Sequence, residues 1–263
     1  MTVSETGDDA VAHGTEDQLS AEGLVLLSEL CDAQLVEQLL DASRRSARAA
    51  RDALGSKEIG IGSAAGYAEI IQRSPGRWDV PIDALEFGLA DWDLPWSGLI
   101  ASVLGDDADL WCCGVISSEP GSADQYWHSD SPHEAREHEC PNAISVLVAL
   151  QDVPMIMGPT EFARGSHRLT NHLRNPSLVV DELVYQHAGT SPKSLVQGTS
   201  QPVPETWASS LPAGSCLLFD DRILHRGMAN RSDATRYVAY LTYRRSAYST
   251  NTYFEAQRSV HDG

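Results

Sequence analysis

DLWCCGVIS (residues 109–117) is the first of four short apolar runs between residues 109 and 245 of this 263-residue chain. Each run is rich in β-branched and aromatic residues and is bounded by Pro, Gly or Asp, a pattern typical of buried strands. The other three runs are AISVLVALQDV (143–153), GSCLLFD (214–220) and RYVAYLTYRR (236–245). The second half of the chain is therefore predicted to be mostly β-sheet.

The first half of the chain is predicted to be mostly helical. A short apolar run over residues 23–30 favours a strand, and residues 31–54 then show helical spacing with Asp32 as a plausible N-cap and Gly55 as the end. The apolar stripe of this helix consists of Leu35, Val36, Leu39 and Leu40. The elements predicted to follow are a Gly-rich irregular segment (55–80) and two shorter helices (82–90 and 95–104).

Helices followed by short strands indicate a fold that is mainly β with N-terminal helices. We expect a double-stranded β-helix, a jelly-roll and cupin-like core, buttressed by the α-helices. Residues 1–20 are polar and acidic and are predicted to be a disordered tail, with residues 21–263 forming a single domain. The polar stretch 168–210 has no sustained period and is too long for an ordinary connection, so it is predicted to be a lid or an insertion.

The composition argues against two classes of partner. The chain has 37 acidic and 19 basic residues, a formal charge of −18. Such a charge repels phosphate groups, so neither nucleic acid nor an anionic membrane is expected as a partner. The sequence shows no membrane-length apolar run and no secretion signal, and its five cysteines lack the spacing of a disulfide framework. We therefore expect reduced thiols and a cytoplasmic location.

The stretch QYWHSDSPH (125–133) contains a candidate metal-binding pair, His128 and Asp130. Residues i and i+2 of a strand point to the same side, so an imidazole nitrogen and a carboxylate oxygen would lie side by side. His225, between an apolar strand and a glycine turn, is the candidate third ligand. Two histidines and one carboxylate form the facial triad of non-haem Fe(II) oxygenases. Taken alone, the His-x-Asp pair also fits a surface ion pair.

Arg236 favours a metal site over a surface ion pair. It opens the strand run that follows His225, and a guanidinium at the head of an inward-facing strand needs an anionic partner. Arginine binds carboxylates bidentately, so a dicarboxylate co-substrate beside the metal would supply that partner. A surface ion pair leaves Arg236 unexplained.

Together these motifs resemble the phytanoyl-CoA dioxygenase family of Fe(II)- and 2-oxoglutarate-dependent oxygenases, over about residues 23–245. The segments that carry the resemblance are GLVLLSEL (23–30) with the helix after it, QYWHSD (125–130), GPTEFARGSH (158–167) and HRGMANRSDATR (225–236). The last segment, with its His-x-Gly-x-x-Asn-x-Ser-x-x-x-Arg pattern, and the His-x-Asp pair are the most specific parts of the resemblance.

The resemblance implies that iron is bound by His128, Asp130 and His225, and that Arg236 pairs with the distal carboxylate of 2-oxoglutarate. Two further residues fall where relatives help to hold the co-substrate, although ordinary strand and turn polarity explains them equally well: Gln125 and Thr160. The candidates for substrate contact are Tyr126, His133, Phe162 and Arg222.

The chain departs from the family at two places. Met155–Met157 stand where relatives often have a polar residue, and Arg164 stands where they have proline, so the pocket wall is expected to differ. Asp130 follows the hydroxylating pattern, because halogenating relatives replace this carboxylate with a small residue to admit chloride. Its presence implies oxygen transfer.

The implied activity is that of an oxidoreductase, a dioxygenase that uses Fe(II), 2-oxoglutarate and O2 to hydroxylate a small-molecule metabolite with release of succinate and CO2. The alternative to an enzyme is a non-catalytic β-barrel protein that binds a metal or a metabolite. Repair of alkylated nucleic acid uses the same ligand pattern but conflicts with the charge of −18. A zinc hydrolase has no need of Arg236, and a separate zinc site at His133, His138 and Cys140 is a weaker interpretation of a polar loop.

Overall fold

A computed structural model of the chain describes residues 7–89, 94–171, 173–174, 205–248 and 258–262. Within these ranges the fold is mainly β, with two antiparallel sheets and N-terminal helices. The strands are β1 (Leu24–Leu27), β2 (Ile71–Ser74), β3 (Arg77–Pro81), β4 (Asp109–Ser118), β5 (Ala143–Ala149), β6 (Thr160–Ala163), β7 (Thr206–Trp207), β8 (Cys216–Asp220), β9 (His225–Gly227) and β10 (Arg236–Arg244). The α-helices are α1 (Gly7–Glu22), α2 (Ala33–Leu54), α3 (Ala84–Phe87) and α4 (Ser97–Leu104).

The larger sheet contains all four of the apolar runs that predicted strands. Its strand order is β1-β8-β5-β10-β4-β3-β2, so the four runs form the contiguous centre β8-β5-β10-β4. The smaller sheet has the order β7-β6-β9. Neighbouring strands in both sheets are antiparallel.

Strand β8 shows why these runs are apolar throughout. Cys216 and Leu218 belong to the core that also contains Leu39 of α2, whereas Leu217 and Phe219 belong to a second core cluster that includes β6. Successive strand residues face opposite sides, so a strand covered on both faces needs an apolar side chain at every position. The larger sheet is thus packed by helices on one face and by the smaller sheet on the other.

Helix α2 confirms its predicted boundaries. The carboxylate of Asp32 accepts a hydrogen bond from the Leu35 N–H at 2.8 Å, and the Gly55 N–H donates to the Arg51 carbonyl at the other end. Leu39 is fully buried on its inner face. The two short predicted helices are also present, as α3 and α4.

Two expectations about the first half of the chain are wrong. Residues 7–20 belong to α1 rather than to a disordered tail, and the end of this helix is fixed by tertiary contacts, because Leu19 is buried and the Ser20 carbonyl accepts a hydrogen bond from Arg168. The segment 55–80 contains strands β2 and β3 rather than being wholly irregular, because β3 pairs with β4 along its length. Composition does not report such long-range contacts.

The predicted lid falls largely outside the described residues, which omit 175–204. On its far side, Thr206–Trp207 forms β7 and pairs with β6. Across the described ranges, none of the helices combines the length and apolar character needed to cross a membrane.

Candidate metal centre

The backbone brings His128 and His225 together. The N–H of each residue donates to the carbonyl of the other, at 3.1 and 2.9 Å, which adds one antiparallel bridge at the edge of β9. Residues directly opposite in an antiparallel pair project to the same face. The two imidazole rings accordingly lie 4.3 Å apart, measured between centroids.

Asp130 completes a cluster of three candidate ligands. Its two carboxylate oxygens lie 3.7 Å from Nε2 of His128 and 3.7 Å from Nε2 of His225. The donor atoms of the three residues all lie within 4.8 Å of one another, and no other such group of three exists in the part of the chain that the structure describes. The spacing suits three ligands on one face of a metal ion.

Hydrogen bonds on the far side of each ring orient the two histidines. Nδ1 of His128 is 2.9 Å from the Tyr126 carbonyl, and Nδ1 of His225 is 3.1 Å from the Ile223 carbonyl. A carbonyl only accepts, so each Nδ1 carries the proton and each Nε2 presents a lone pair toward Asp130. Burial and the neighbouring His225 lower the pKa of His128 to about 4, which keeps its ring neutral and ready to bind a metal.

Asp221 positions Asp130 through backbone hydrogen bonds. The backbone carbonyl of Asp221 accepts the N–H groups of Asp130, at 2.8 Å, and Ser131, at 3.1 Å. Its buried carboxylate accepts the hydroxyl of Ser145 at 2.8 Å. Burial and the charge of Asp130 raise the pKa of Asp221 well above its usual range. Asp221 therefore anchors the segment that carries Asp130. Its position just before the RILH segment that contains His225 already suggested a turn residue or a residue that supports the ligands.

An apolar wall lies against His225. Phe162 of β6 is paired with His225 of β9, and its ring stacks on the imidazole with centroids 5.7 Å apart. Phe219 approaches the same imidazole from β8 at 4.9 Å. His225 is buried by these contacts, whereas the side chain of Asp130 is 40% exposed. The cluster is thus accessible from the side of Asp130.

Arg236 is buried with unused donors. Only 2% of its surface is exposed, and one terminal nitrogen, Nη2, donates to the hydroxyl of Ser118 at 3.0 Å. Its Nε and Nη1 have no partner among the described residues. Burial lowers the pKa of Arg236 to about 10, so the guanidinium stays charged at neutral pH. A buried cation with free donors is matched to a carboxylate ligand.

A protein-family model described as phytanoyl-CoA dioxygenase matches residues 19–238. The chain belongs to the phytanoyl-CoA dioxygenase family. The match covers most of the sequence and includes all three candidate metal ligands and Arg236, and it confirms the resemblance drawn from the motifs.

Several solved structures have a fold similar to that of this family member. The epimerase SnoN, in complex with Fe3+, α-ketoglutarate and nogalamycin RO, aligns with a TM-score of 0.64 at 21% identity, covering 93% of this chain and 88% of its own. HygX from Streptomyces hygroscopicus, with nickel, 2-oxoglutarate and hygromycin B, aligns with a TM-score of 0.60 at 14% identity, covering 95% and 96%. The carbocyclase SnoK from nogalamycin biosynthesis aligns with a TM-score of 0.55 at 18% identity, covering 88% and 83%. At these identities the likeness establishes the fold.

Arg77 is a second buried arginine of this dioxygenase-family chain. It was not among the residues predicted for the site, because segment 55–80 was predicted to be irregular. Arg77 is fully buried, and its Nε donates to the same Ser118 hydroxyl that Arg236 uses, at 3.0 Å. Its Nη1 donates to the carbonyls of Gly227 and Ala123, at 2.9 and 3.1 Å. Burial and the charge of Arg236 lower the pKa of Arg77 well below its usual range. Two adjacent guanidinium groups make this pocket locally positive in an acidic protein.

The two residues expected to assist the co-substrate both lie beside β9. The side-chain oxygen of Gln125 accepts the N–H of Gly227 at 3.0 Å. Thr160 is paired with Gly227 and lies two residues before Phe162, so it shares the face of His225. Their role in binding the co-substrate stays a prediction.

The four candidates for substrate contact fall in different surroundings. Phe162 contacts His225, and Tyr126 is 40% exposed next to His128. Arg222 instead forms a two-pronged ion pair with Asp220, and Nε2 of His133 lies 3.2 Å from the hydroxyl of Thr170. Tyr126 is therefore better placed for substrate contact than Arg222 and His133, whose polar atoms are engaged by the protein. Phe162 is fully buried and packs on the covered side of His225.

The loop considered as an alternative zinc site does not bring its three candidate ligands, His133, His138 and Cys140, together. The rings of His133 and His138 are 6.2 Å apart, and Cys140 is exposed. These residues form no metal-binding group within the described ranges, where the triad alone meets that geometry.

Proposed function

We propose that this chain is an Fe(II)- and 2-oxoglutarate-dependent dioxygenase that hydroxylates a small-molecule metabolite. The observation that carries the proposal is the pairing of a His-Asp-His cluster with a buried arginine that keeps two donors free. A metal-binding protein without turnover has no use for such an arginine, and a zinc hydrolase has none either. We also propose that the two antiparallel sheets form a double-stranded β-helix, in a single domain over residues 21–263.

The residues present fit iron and 2-oxoglutarate. Nε2 of His128, Nε2 of His225 and a carboxylate oxygen of Asp130 would hold the metal, and Arg236 with Ser118 would hold the distal carboxylate of the co-substrate. When bound, the iron and 2-oxoglutarate supply the activation of O2, with 2-oxoglutarate converted to succinate and CO2.

The protein contributes orientation and exclusion of water. Backbone carbonyls fix both imidazoles, and Asp221 fixes the segment that carries Asp130. Phe162 and Phe219 cover the buried side of His225 and leave the exposed side for ligands. No side-chain acid or base is required for this reaction, so the metal ligands are the catalytic residues.

A small-molecule substrate is supported by two observations. The related structures of SnoN and HygX contain nogalamycin RO and hygromycin B, which are small molecules. The charge of −18 disfavours nucleic acid. Epimerisation and carbocyclisation are the named reactions of SnoN and SnoK, so product analysis is needed to assign hydroxylation. We also propose a cytoplasmic location, because the five cysteines in the sequence lack the spacing of a disulfide framework.

The first test is anaerobic absorption spectroscopy of the full chain with Fe(II), before and after addition of 2-oxoglutarate. We expect a visible charge-transfer band from the chelate. In Arg236→Ala the band should require at least about tenfold more 2-oxoglutarate, because a buried charge-assisted contact is lost. Arg48→Ala serves as the matched control, because Arg48 is an exposed arginine of α2 outside the candidate site.

Two results would contradict the proposal. One is the absence of a band in folded protein that has bound iron. The other is an unchanged requirement for 2-oxoglutarate in Arg236→Ala. Consumption of O2 with formation of succinate then distinguishes an enzyme from a binding protein.

A further inference from the structure

Cys31 and Cys216 lie side by side although 185 residues separate them in the sequence. Their Sγ atoms are 3.5 Å apart, and both residues are buried. Cys31 directly precedes the N-cap of α2, and Cys216 is the first residue of β8. Neither cysteine is one of the three candidate metal ligands or one of the residues that orient them.

The backbone holds the two cysteines in register. Strand β1 pairs with β8 so that Leu27 is opposite Cys216. Beyond the end of β1, the N–H of Cys31 donates to the Gly214 carbonyl at 3.0 Å, and the N–H of Glu29 donates to the Ser215 hydroxyl at 3.3 Å. A disulfide bond is about 2.05 Å long, so the two sulfur atoms, now 3.5 Å apart, must approach each other by about 1.5 Å to form one.

Cys31 can be reached from solvent, whereas Cys216 lies behind it. Cys31 contributes to the wall of an open groove of about 540 Å³ that is also lined by Val36, Leu40, Arg44 and Ala213. Cys31 is 7% exposed and Cys216 is 0% exposed. Of the two cysteines, Cys31 is the one that lines the groove, so a small oxidant that enters the groove is expected to react at Cys31 first.

We propose that Cys31 and Cys216 form an oxidation site that a peroxide converts from a dithiol to an intramolecular disulfide. The sulfur of Cys31 attacks one oxygen of hydrogen peroxide, the O–O bond breaks, and Cys31 becomes a sulfenic acid as one water leaves. The sulfur of Cys216 then attacks the sulfur of Cys31, the S–O bond breaks, and a second water leaves with the thiol proton. Two thiols are oxidised and one peroxide is reduced to two waters.

The chemistry of the pair supports this order of steps. The hydrogen bond between the thiols lowers the pKa of Cys31 and, with burial, raises that of Cys216 well above its usual range. The more acidic thiol is therefore the one that faces the groove, and a thiolate is the nucleophilic form.

The disulfide would fasten the N-terminal part of the fold to β8. It would close a loop of 185 residues and restrict the unfolded chain accordingly. This inference is independent of the proposed enzymatic function, because it needs neither the metal nor the co-substrate.

The test treats the full chain with hydrogen peroxide in the presence of a chelator, blocks free thiols by alkylation and digests without reduction. Mass spectrometry should find a linked peptide pair containing Cys31 and Cys216, two hydrogen atoms lighter than the separate peptides. The oxidised protein should melt at least about 5 °C higher than the reduced protein, and dithiothreitol should reverse the shift. Cys216→Ser should show neither change, whereas Cys140→Ser, which alters an exposed cysteine, should show both.

The proposal is overturned if Cys31 and Cys216 remain alkylatable at peroxide concentrations that oxidise Cys140. It is equally overturned if Cys31 proceeds to sulfinic acid while Cys216 stays a thiol. A linked peptide without a higher melting temperature would contradict the fastening of the N-terminal part to β8.

Discussion

At the scale of single residues, the candidate site depends on groups that orient the ligands as much as on the ligands. The Tyr126 and Ile223 carbonyls fix the protonated nitrogen of His128 and His225. Such contacts leave the opposite nitrogen ready for a metal without a further proton loss. Asp130 differs from the histidines, because its side chain is 40% exposed and its position depends on the backbone of Asp221.

Asp130→Ala should weaken iron binding strongly while the protein remains folded. The exposed carboxylate contributes little to the core, but its removal leaves two ligands instead of three. We expect less than about a tenth of the wild-type iron content after gel filtration, measured by elemental analysis, with a melting temperature within about 3 °C of wild type. Glu134→Ala removes an exposed carboxylate outside the triad and should retain iron. Wild-type iron content in Asp130→Ala would contradict the ligand assignment.

Asp221→Asn should weaken iron binding about tenfold without abolishing it. The amide keeps the size of the side chain but replaces one of the two carboxylate oxygens that accept from Ser145 and Ser131 by a donor, which disturbs the support of Asp130. The measurement is an anaerobic titration with Fe(II), together with the melting temperature. Asp152→Asn, an exchange three residues beyond the end of β5, should leave the affinity unchanged. If Asp221→Asn lowers only the melting temperature, Asp221 has a structural role and does not position the ligand.

At the scale of elements, three-residue β9 carries much of the site. It pairs with β6 on one side and with His128 on the other, and the carbonyl of Gly227 accepts from Arg77. Gly227 has no room for a side chain, since a Cβ there would lie 2.7 Å from both the guanidinium carbon of Arg77 and the side-chain oxygen of Gln125. The glycine of the His-x-Gly motif thus permits the close packing that joins the metal ligands to the arginine pocket.

Asp32→Ala should destabilise the protein by about 1 kcal/mol, because α2 would lose its N-cap. Urea unfolding of reduced protein, followed by circular dichroism, measures the difference. Asp32→Asn should retain most of the stability, since an amide oxygen still accepts the Leu35 N–H. An equal loss in both variants would show that the charge, rather than the hydrogen bond, stabilises the helix.

At the scale of the whole molecule, buried basic side chains of this acidic chain lie in separate regions. Arg77 and Arg236 are buried together and share the hydroxyl of Ser118, and Arg77 also donates to the carbonyl of Gly227, two residues after the candidate ligand His225. His133 and His167 are buried in a separate polar region near the Arg222–Asp220 ion pair. Burial lowers the pKa of each histidine to about 4, the nearby Arg222 adds to the effect on His133, and Asp220 opposes it without cancelling it.

These two histidines should make the protein less stable as the pH falls from 7 to 5. In the unfolded chain they take up protons near pH 6.5, whereas in the folded state they remain neutral until about pH 4. The unfolded state therefore binds more protons in this window, and each histidine contributes a loss of about 2 kcal/mol by pH 5. His167→Gln should flatten the dependence of the unfolding free energy on pH, and His261→Gln, at an exposed histidine, should not. A pH dependence unchanged by His167→Gln would contradict this account.

The sequence by itself was sufficient to predict the central strands, the boundaries of α2 and the residues of the triad with Arg236. These features are encoded locally, because apolar runs report buried strands, Asp32 and Gly55 mark helix ends, and motif spacing carries the family resemblance. The membership of the family follows from the same segments.

The tertiary structure decided the features that depend on contacts between distant segments. Strand β3 forms because β4 is available to pair with it, and this pairing buries Arg77 beside Arg236. The end of α1 is held by Arg168, and Cys31 meets Cys216 across 185 residues. Hydrogen bonds and burial of this kind depend on which segments become neighbours after folding, and local composition holds no record of them.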